Sequence, residues 1–150
     1  MPNNLRVVID TNIFISSFFG GIPKEIIDLW KNGEIILCLS QNIVEEYLEV
    51  LNRLGLQDKK EIQKLIKLFA EGYNSLFAAK TPEIMVVKED PDDDKFIECA
   101  VELDSKIIIS GDKHLKEVKK YIDIEILSPR EFIGCHCRCE NVTKESESNM

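Results

Sequence analysis

The 150-residue sequence predicts an α/β domain built on a central parallel sheet, and three features carry that prediction. Five short apolar runs occur, several without the polar alternation of a half-exposed strand, as expected for strands covered on both faces. Helical patterns lie between them, and strand–helix alternation predicts a parallel sheet wrapped on both sides. Finally, aspartates fall at or just beyond the ends of the first and fourth runs, where open α/β sheets build their sites.

The elements follow in order. "LRVVID" (5–10) is the first strand and "EIILCLS" (34–40) the second. Between them "IPKEIIDLWKNG" carries Pro23 near its start and Gly33 just past its end, the asymmetry of a helix with marked boundaries. "SQNIVEEYLEVLNRLG" opens on Ser40 as a cap and closes at Gly55, with an apolar face through Ile43, Tyr47, Leu48 and Leu51. "DKKEIQKLIKLFAEGYNSLFAA" reads as one longer helix whose apolar positions continue past Gly72 to Leu76. The third strand is expected at "EIMVV" (83–87). "DPDDDKFIECAVELD" gives a further helix with Asp90 as N-cap and Pro91 at its first position, followed by strands at "KIIIS" (106–110) and "IEIL" (124–127). With strand order 3-2-1-4-5, the first and fourth strands are neighbours.

A chain of this length fits one domain that buries roughly two-thirds of its unfolded surface. The domain is expected over 1–134, and residues 135–150, ending in "ENVTKESESNM", read as a polar, disordered tail. No apolar stretch approaches the ~20 residues of a membrane span, and a cytoplasmic location is expected. Cys38 and Cys99 sit in apolar segments as small core residues. Cys135, Cys137 and Cys139 alternate in "CHCRC", which does not match the pairs of a zinc module. The formal net charge is -8, so the chain as a whole lacks the basic footprint of a polyanion-binding protein. A nucleic-acid substrate would have to be held locally, with bound cations offsetting the acidic groups; a basic partner is the other use for such a surface.

The chemistry concentrates on carboxylates. Asp10 ends the first strand and Asp112 follows the fourth by two residues, so with the order 3-2-1-4-5 both reach one crevice, although an aspartate taken alone in such a place is more often a cap for the turn or helix that follows. On a wheel begun at Asp90, the stripe runs through Phe96, Ile97, Ala100 and Leu103; Asp93 falls on it, Asp92 at its edge and Asp94 well away. Asp93 is therefore the inward carboxylate, or else a complement to the helix dipole. Glu45 and Glu46 flank the apolar face of their helix on opposite sides, and the wheel barely separates them. Converging carboxylates repel unless a hard cation sits between them, and Mg²⁺ or Mn²⁺ suits all-oxygen ligands. Only His114 and His136 could serve a histidine-rich site, and no glycine-rich phosphate loop is present.

Taken together, "VVIDTNIFISSFF", "SQNIVEEYLEVLNR", "EDPDDDKFIECAVELDSKIIISGDKHL" and "EILSPREFI" resemble the PIN-domain family, specifically its VapC-like branch of toxin components of toxin–antitoxin pairs. The likeness spans about 5–133. It implies a PIN-like, Rossmann-like three-layer sandwich and a Mg²⁺- or Mn²⁺-dependent endoribonuclease. It further implies Asp10, Glu46, Asp93 and Asp112 as catalytic acids, with Asp10, Asp93 and Asp112 on the metal, the third assignment being open by one residue within 90–94. Asn12 and Ser110 fall where the family keeps small polar residues beside the metal, Ser110 standing where threonine is common. An RNA substrate, a small antitoxin and a homodimer are the implied partners. Lys95, Lys113 and Arg130 are candidate phosphate contacts. Two other readings stand beside this one. A haloacid-dehalogenase-like phosphohydrolase also ends its first strand on Asp, but needs a second aspartate where this chain has Asn12. A non-catalytic PIN-like module would bind RNA or protein without cutting.

Overall fold

The computed structural model describes residues 5–56, 58–78, 94–112, 120–121 and 123–135. In chain order the elements are β1 (Leu5–Ile9), α1 (Thr11–Ser16) with a 3₁₀ turn over Ser17–Phe19, α2 (Gly21–Lys31), β2 (Ile35–Ser40), α3 (Gln41–Arg53), α4 (Lys60–Glu71), β3 (Ser75–Ala78), α5 (Asp94–Glu102), β4 (Ile107–Ile109), β5 (Lys120–Tyr121) and β6 (Ile124–Leu127). Residues 129–135 are helical. They open on a capping box, in which the Ser128 N–H donates to Glu131 Oε1 at 2.9 Å and the Glu131 N–H to Ser128 Oγ at 3.1 Å.

The sheet runs β3-β2-β1-β4-β6-β5. Its five parallel strands take the expected 3-2-1-4-5 order, and the two-residue β5 adds an antiparallel edge against β6. In β1 the consecutive residues Val7, Val8 and Ile9 are all fully buried. Since neighbours on a strand point to opposite faces, both faces of the sheet are covered at its centre. Register places Ile9 opposite Ile109 of β4, so β1 and β4 end side by side, and the ladder continues one residue further through the Asp10 N–H to the Ile109 carbonyl at 3.0 Å. Among the described residues no helix is long and apolar enough to cross a membrane.

Two sequence expectations are corrected here. The helix read through to Leu76 stops at Glu71, because Gly72 adopts the left-handed φ of 72° that ends it. The chain then turns through Tyr73 and Asn74, itself left-handed at φ 42°, into β3, which pairs with β2 from Leu37↔Ser75 to Ser40↔Ala78. Tertiary contacts fix this turn: Trp30 Nε1 donates to the carbonyls of Tyr73 and Asn74, both at 3.2 Å, and Asn74 Nδ2 donates back to the Trp30 carbonyl at 3.2 Å. The third strand expected over 83–87 lies outside the described residues, as do the Asp90 cap and Pro91. The second correction concerns α3. Ser40 caps it by accepting the Ile43 N–H at 3.2 Å, and Ile43, Tyr47 and Leu51 are buried as expected, but Leu48 is exposed.

The core is aromatic under α1–α3. Phe14 stacks on Tyr47 with centroids 4.0 Å apart, and Phe69 packs against both Phe14 and Trp30. Cys38 and Cys99 are buried, and burial pushes the Cys38 thiol up to about 12. Because Trp30 joins this cluster and also holds the α4–β3 turn, Trp30→Ala is expected to cost about 3–5 kcal/mol in urea denaturation. Trp30→Phe, which keeps most of the packing and loses only the Nε1 donor, should cost about 1 kcal/mol. Equal losses in the two variants would mean that the hydrogen bonds, not the packing, hold the turn.

Candidate active site

Asp10 is the residue around which the site forms. It ends β1, caps α1 and is 3% exposed. The cap and the site are the same arrangement seen from two sides: the Ile13 N–H donates to Asp10 Oδ1 at 2.9 Å, while the Ser110 hydroxyl, from the end of β4, donates to Asp10 Oδ2. Ser110 is fully buried, its Oγ also accepts the Asp112 N–H at 2.9 Å, and its own N–H continues the ladder to the Leu127 carbonyl at 2.8 Å. One serine thus ties together Asp10 and the loop carrying Asp112.

Burial raises the Asp10 carboxyl from 3.8 to about 6, against the opposing pull of the Ser110 and Ile13 hydrogen bonds. The charges of Asp112 and Glu46 push it further in the same direction, so the three acids stand close enough to interact.

Glu46 is the member of its pair that turns inward. It is half-buried, with the Thr11 hydroxyl donating to Oε2 and the Lys95 ammonium 2.6 Å from Oε1. Glu45 is exposed and accepts from Gln41 Nε2 one turn earlier. Below Glu46 the hydroxyl of Tyr47, fully buried, donates to the Ile9 carbonyl, which docks α3 on the end of β1.

Asp94 is 5% exposed, which overturns its expected outward position. It is the first residue of α5 and is among that helix's buried residues, although a wheel begun at Asp90 sends it outward. The next residue, Lys95, reaches α3 at Glu46. Asp93 and Asp92 lie outside the described residues.

The remaining expectations divide. Asn12 is on the exposed side of the first turn of α1, and its buried neighbour Thr11 makes the contact to Glu46. Sequence reasoning did not assign Thr11 a role; its place directly after a strand-ending Asp was the available signal. Lys95, read as a phosphate contact, is engaged by Glu46 instead. Arg130 is exposed, and Lys113, His114 and His136 lie outside the described residues.

Among the described residues no three acidic, His or Cys side chains are gathered tightly enough to enclose a metal ion. The donor chemistry still fits a hard divalent cation. The groups are carboxylates, and Asp10 accepts two hydrogen bonds while a carboxylate has about four acceptor positions.

A carboxyl that titrates at about 6 in the folded chain and near 3.8 unfolded binds its proton more tightly when folded. The resulting stability is complete below 3.8 and is lost as the pH rises through about 6. That difference corresponds to about 3 kcal/mol. Asp10→Asn carries no charge at any pH, so in EDTA it should melt above the parent at about pH 8 and lose that advantage toward about pH 4. A variant that melts below the parent at the higher pH would mean that the bonds from Ser110 and Ile13 outweigh the cost of burial.

The family model described as PIN domain matches residues 6–114, which include Asp10, Glu46, Asp94, Ser110 and Asp112. The chain is also similar to an uncharacterized protein of Methanocaldococcus jannaschii, 35% identical over 144 residues, covering 86% of this chain and 90% of that protein. With its strand order, its buried Asp10 and a match over most of its length, the chain belongs to the PIN-domain family.

Proposed function

We propose that this protein is a Mg²⁺- or Mn²⁺-dependent endoribonuclease and the toxin of a type II toxin–antitoxin pair. PIN domains are generally nucleases, and they generally use divalent metals. The observation that carries the reading furthest is Asp10. A charge-bearing group is kept almost wholly out of water at the carboxyl end of the central strand, with Glu46 and Asp112 near enough to raise its pKa. A fold gains no stability from that arrangement and has reason to retain it where a cation is to be held.

In this reading Asp10, Asp112 and an acid at the start of α5 hold the cation; the resemblance implies Asp93, which lies outside the described residues, and its neighbour Asp94 is the described acid there that is buried. When bound, the cation supplies Lewis acidity for phosphodiester hydrolysis. Ser110 fixes the orientation of Asp10 from the neighbouring strand, and Thr11 does the same for Glu46 from the first turn of α1. With the Thr11 hydroxyl on one oxygen and the Lys95 ammonium on the other, Glu46 is held in a fixed orientation from which it would accept a hydrogen bond from the attacking water. The overall charge of -8 fits a local, cation-assisted hold on RNA.

Asp10→Asn should reduce internal cleavage of single-stranded RNA by several orders of magnitude in Mg²⁺ or Mn²⁺ while the circular dichroism spectrum is kept. The parent should leave 5′-phosphate and 3′-hydroxyl ends and leave small phosphomonoesters intact. Phosphomonoester hydrolysis, with beryllium fluoride trapped on Asp10, would instead make that residue a nucleophile and overturn the nuclease reading.

The partners belong to the same proposal: two copies forming a homodimer, and a small antitoxin offering basic side chains to the acidic crevice. Light scattering should give twice the 17.2 kDa chain mass. Co-purification with the product of the adjacent gene should fail when Asp10 and Asp112 are both changed to Asn. Retained binding would move the interface elsewhere.

A further inference from the structure

Lys95 is a positive charge paired with the Glu46 carboxylate, and its side chain is only 15% exposed. A lysine ordinarily keeps its ammonium in water while its stem lies along the protein. Here the ammonium turns inward, 2.6 Å from Glu46 Oε1 and 5.6 Å from the centroid of the Phe96 ring. The other Glu46 oxygen is held by Thr11, so the carboxylate is gripped from two directions, by α1 and by α5. The exposed ion pairs of this chain differ in kind: Lys24–Asp28 joins side chains 58% and 45% exposed within one helix turn. Such a pair contributes little, whereas one withdrawn from solvent interacts more strongly and is screened less.

We propose that Lys95 is the resident counter-cation of the acidic cluster, a positioning residue that fixes Glu46 and sets how strongly the cluster draws a divalent ion. The second half of this statement rests on the nuclease reading; the first does not. Without a divalent ion, Glu46 and Asp112 repel Asp10, and the ammonium on Glu46 offsets the charge of that one member. The same charge opposes an incoming cation. Lys95 therefore keeps the site assembled when empty and weakens its grip on metal when filled.

The test uses the full chain with Lys95→Met, Lys95→Arg, Glu46→Gln and the Lys95→Met/Glu46→Gln pair; Lys95→Gln replaces Lys95→Met should the latter not fold. Melts in EDTA should show Lys95→Met losing several degrees, Lys95→Arg close to the parent, and the double variant losing less than the sum of its parts. In Mn²⁺ titrations followed by melting temperature, the half-saturating concentration should be about tenfold lower for Lys95→Met than for the parent. Additive losses in EDTA overturn the ion pair's role, and a half-point unchanged or raised in Lys95→Met overturns its control of the metal. If the parent shows no Mn²⁺-dependent shift at all, the metal requirement of the proposed function fails, and the EDTA cycle alone decides whether Lys95 holds Glu46.

Discussion

A carboxylate withdrawn from water at the end of the central strand is the constraint to which the rest of this architecture answers. Leaving Asp10 uncompensated would cost several kcal/mol, so each element that meets it contributes something. α1 offers the Ile13 N–H, and β4 offers the Ser110 hydroxyl through the side-by-side ending of β1 and β4. The pKa of about 6 measures how incomplete that compensation is: two hydrogen bonds lower it, but burial and two neighbouring acids leave it raised. A protein selected for stability alone would put Asn here. Retaining Asp leaves a carboxylate that burial destabilises, a cost that the proposed cation would offset.

The packing beneath the site exists to hold these groups at fixed positions. Tyr47 illustrates the link from core to chemistry: its ring stacks on Phe14 of α1, and its hydroxyl reaches the Ile9 carbonyl one residue before Asp10. The residue preceding it, Glu46, is thereby delivered to Thr11 and Lys95. A buried aromatic pair, a strand end and the inward-turned Glu46 are thus one mechanical unit. Aromatic pairs of this kind contribute about 0.5–1.5 kcal/mol beyond the area they bury. That is modest against the whole fold, but it falls where a shift of an ångström would separate Glu46 from its partners.

Charge is balanced locally rather than globally. The chain carries 27 acidic and 19 basic residues, yet the described site draws one lysine inward and leaves Arg130 outside. Interaction between surface charges fades over roughly 8 Å at physiological salt. An acidic chain can therefore act on a polyanion if the few groups within that distance, with a bound cation, present a favourable field. In the proposed function the Lys95–Glu46 pair would belong to such a group.

Much of this was legible in the sequence because it depends on local chemistry. Strands buried on both faces leave unbroken apolar runs, so β1, β2, β4 and β6 could be read directly; Ser40 as a cap and the Pro23 and Gly33 boundaries follow from backbone hydrogen bonding and allowed φ. Asp10 was found because a polar residue ending such a run has few ordinary explanations. What depends on packing between distant segments was not legible. β3 was hidden inside a helical pattern because its position is set by Trp30 and Asn74, 44 residues apart, and by pairing with β2. Leu48 fits the apolar face on a wheel, but only the placement of α3 on the sheet decides which edge of that face is covered. Glu45 and Glu46 were nearly equivalent until Thr11 and Lys95 selected one of them. Asp94 differs from its expected position for a related reason: a wheel ranks residues by the apolar stripe of their own helix, while burial depends on the whole fold. The sequence by itself determined β1, β2, β4 and β6, the parallel α/β class, and the acidic residues at the ends of β1 and β4. Only the tertiary structure decided that Glu46 rather than Glu45 turns inward and that Asp94 is buried, because burial of a charge is settled by the neighbours that compensate it, and for Glu46 those come from far along the chain.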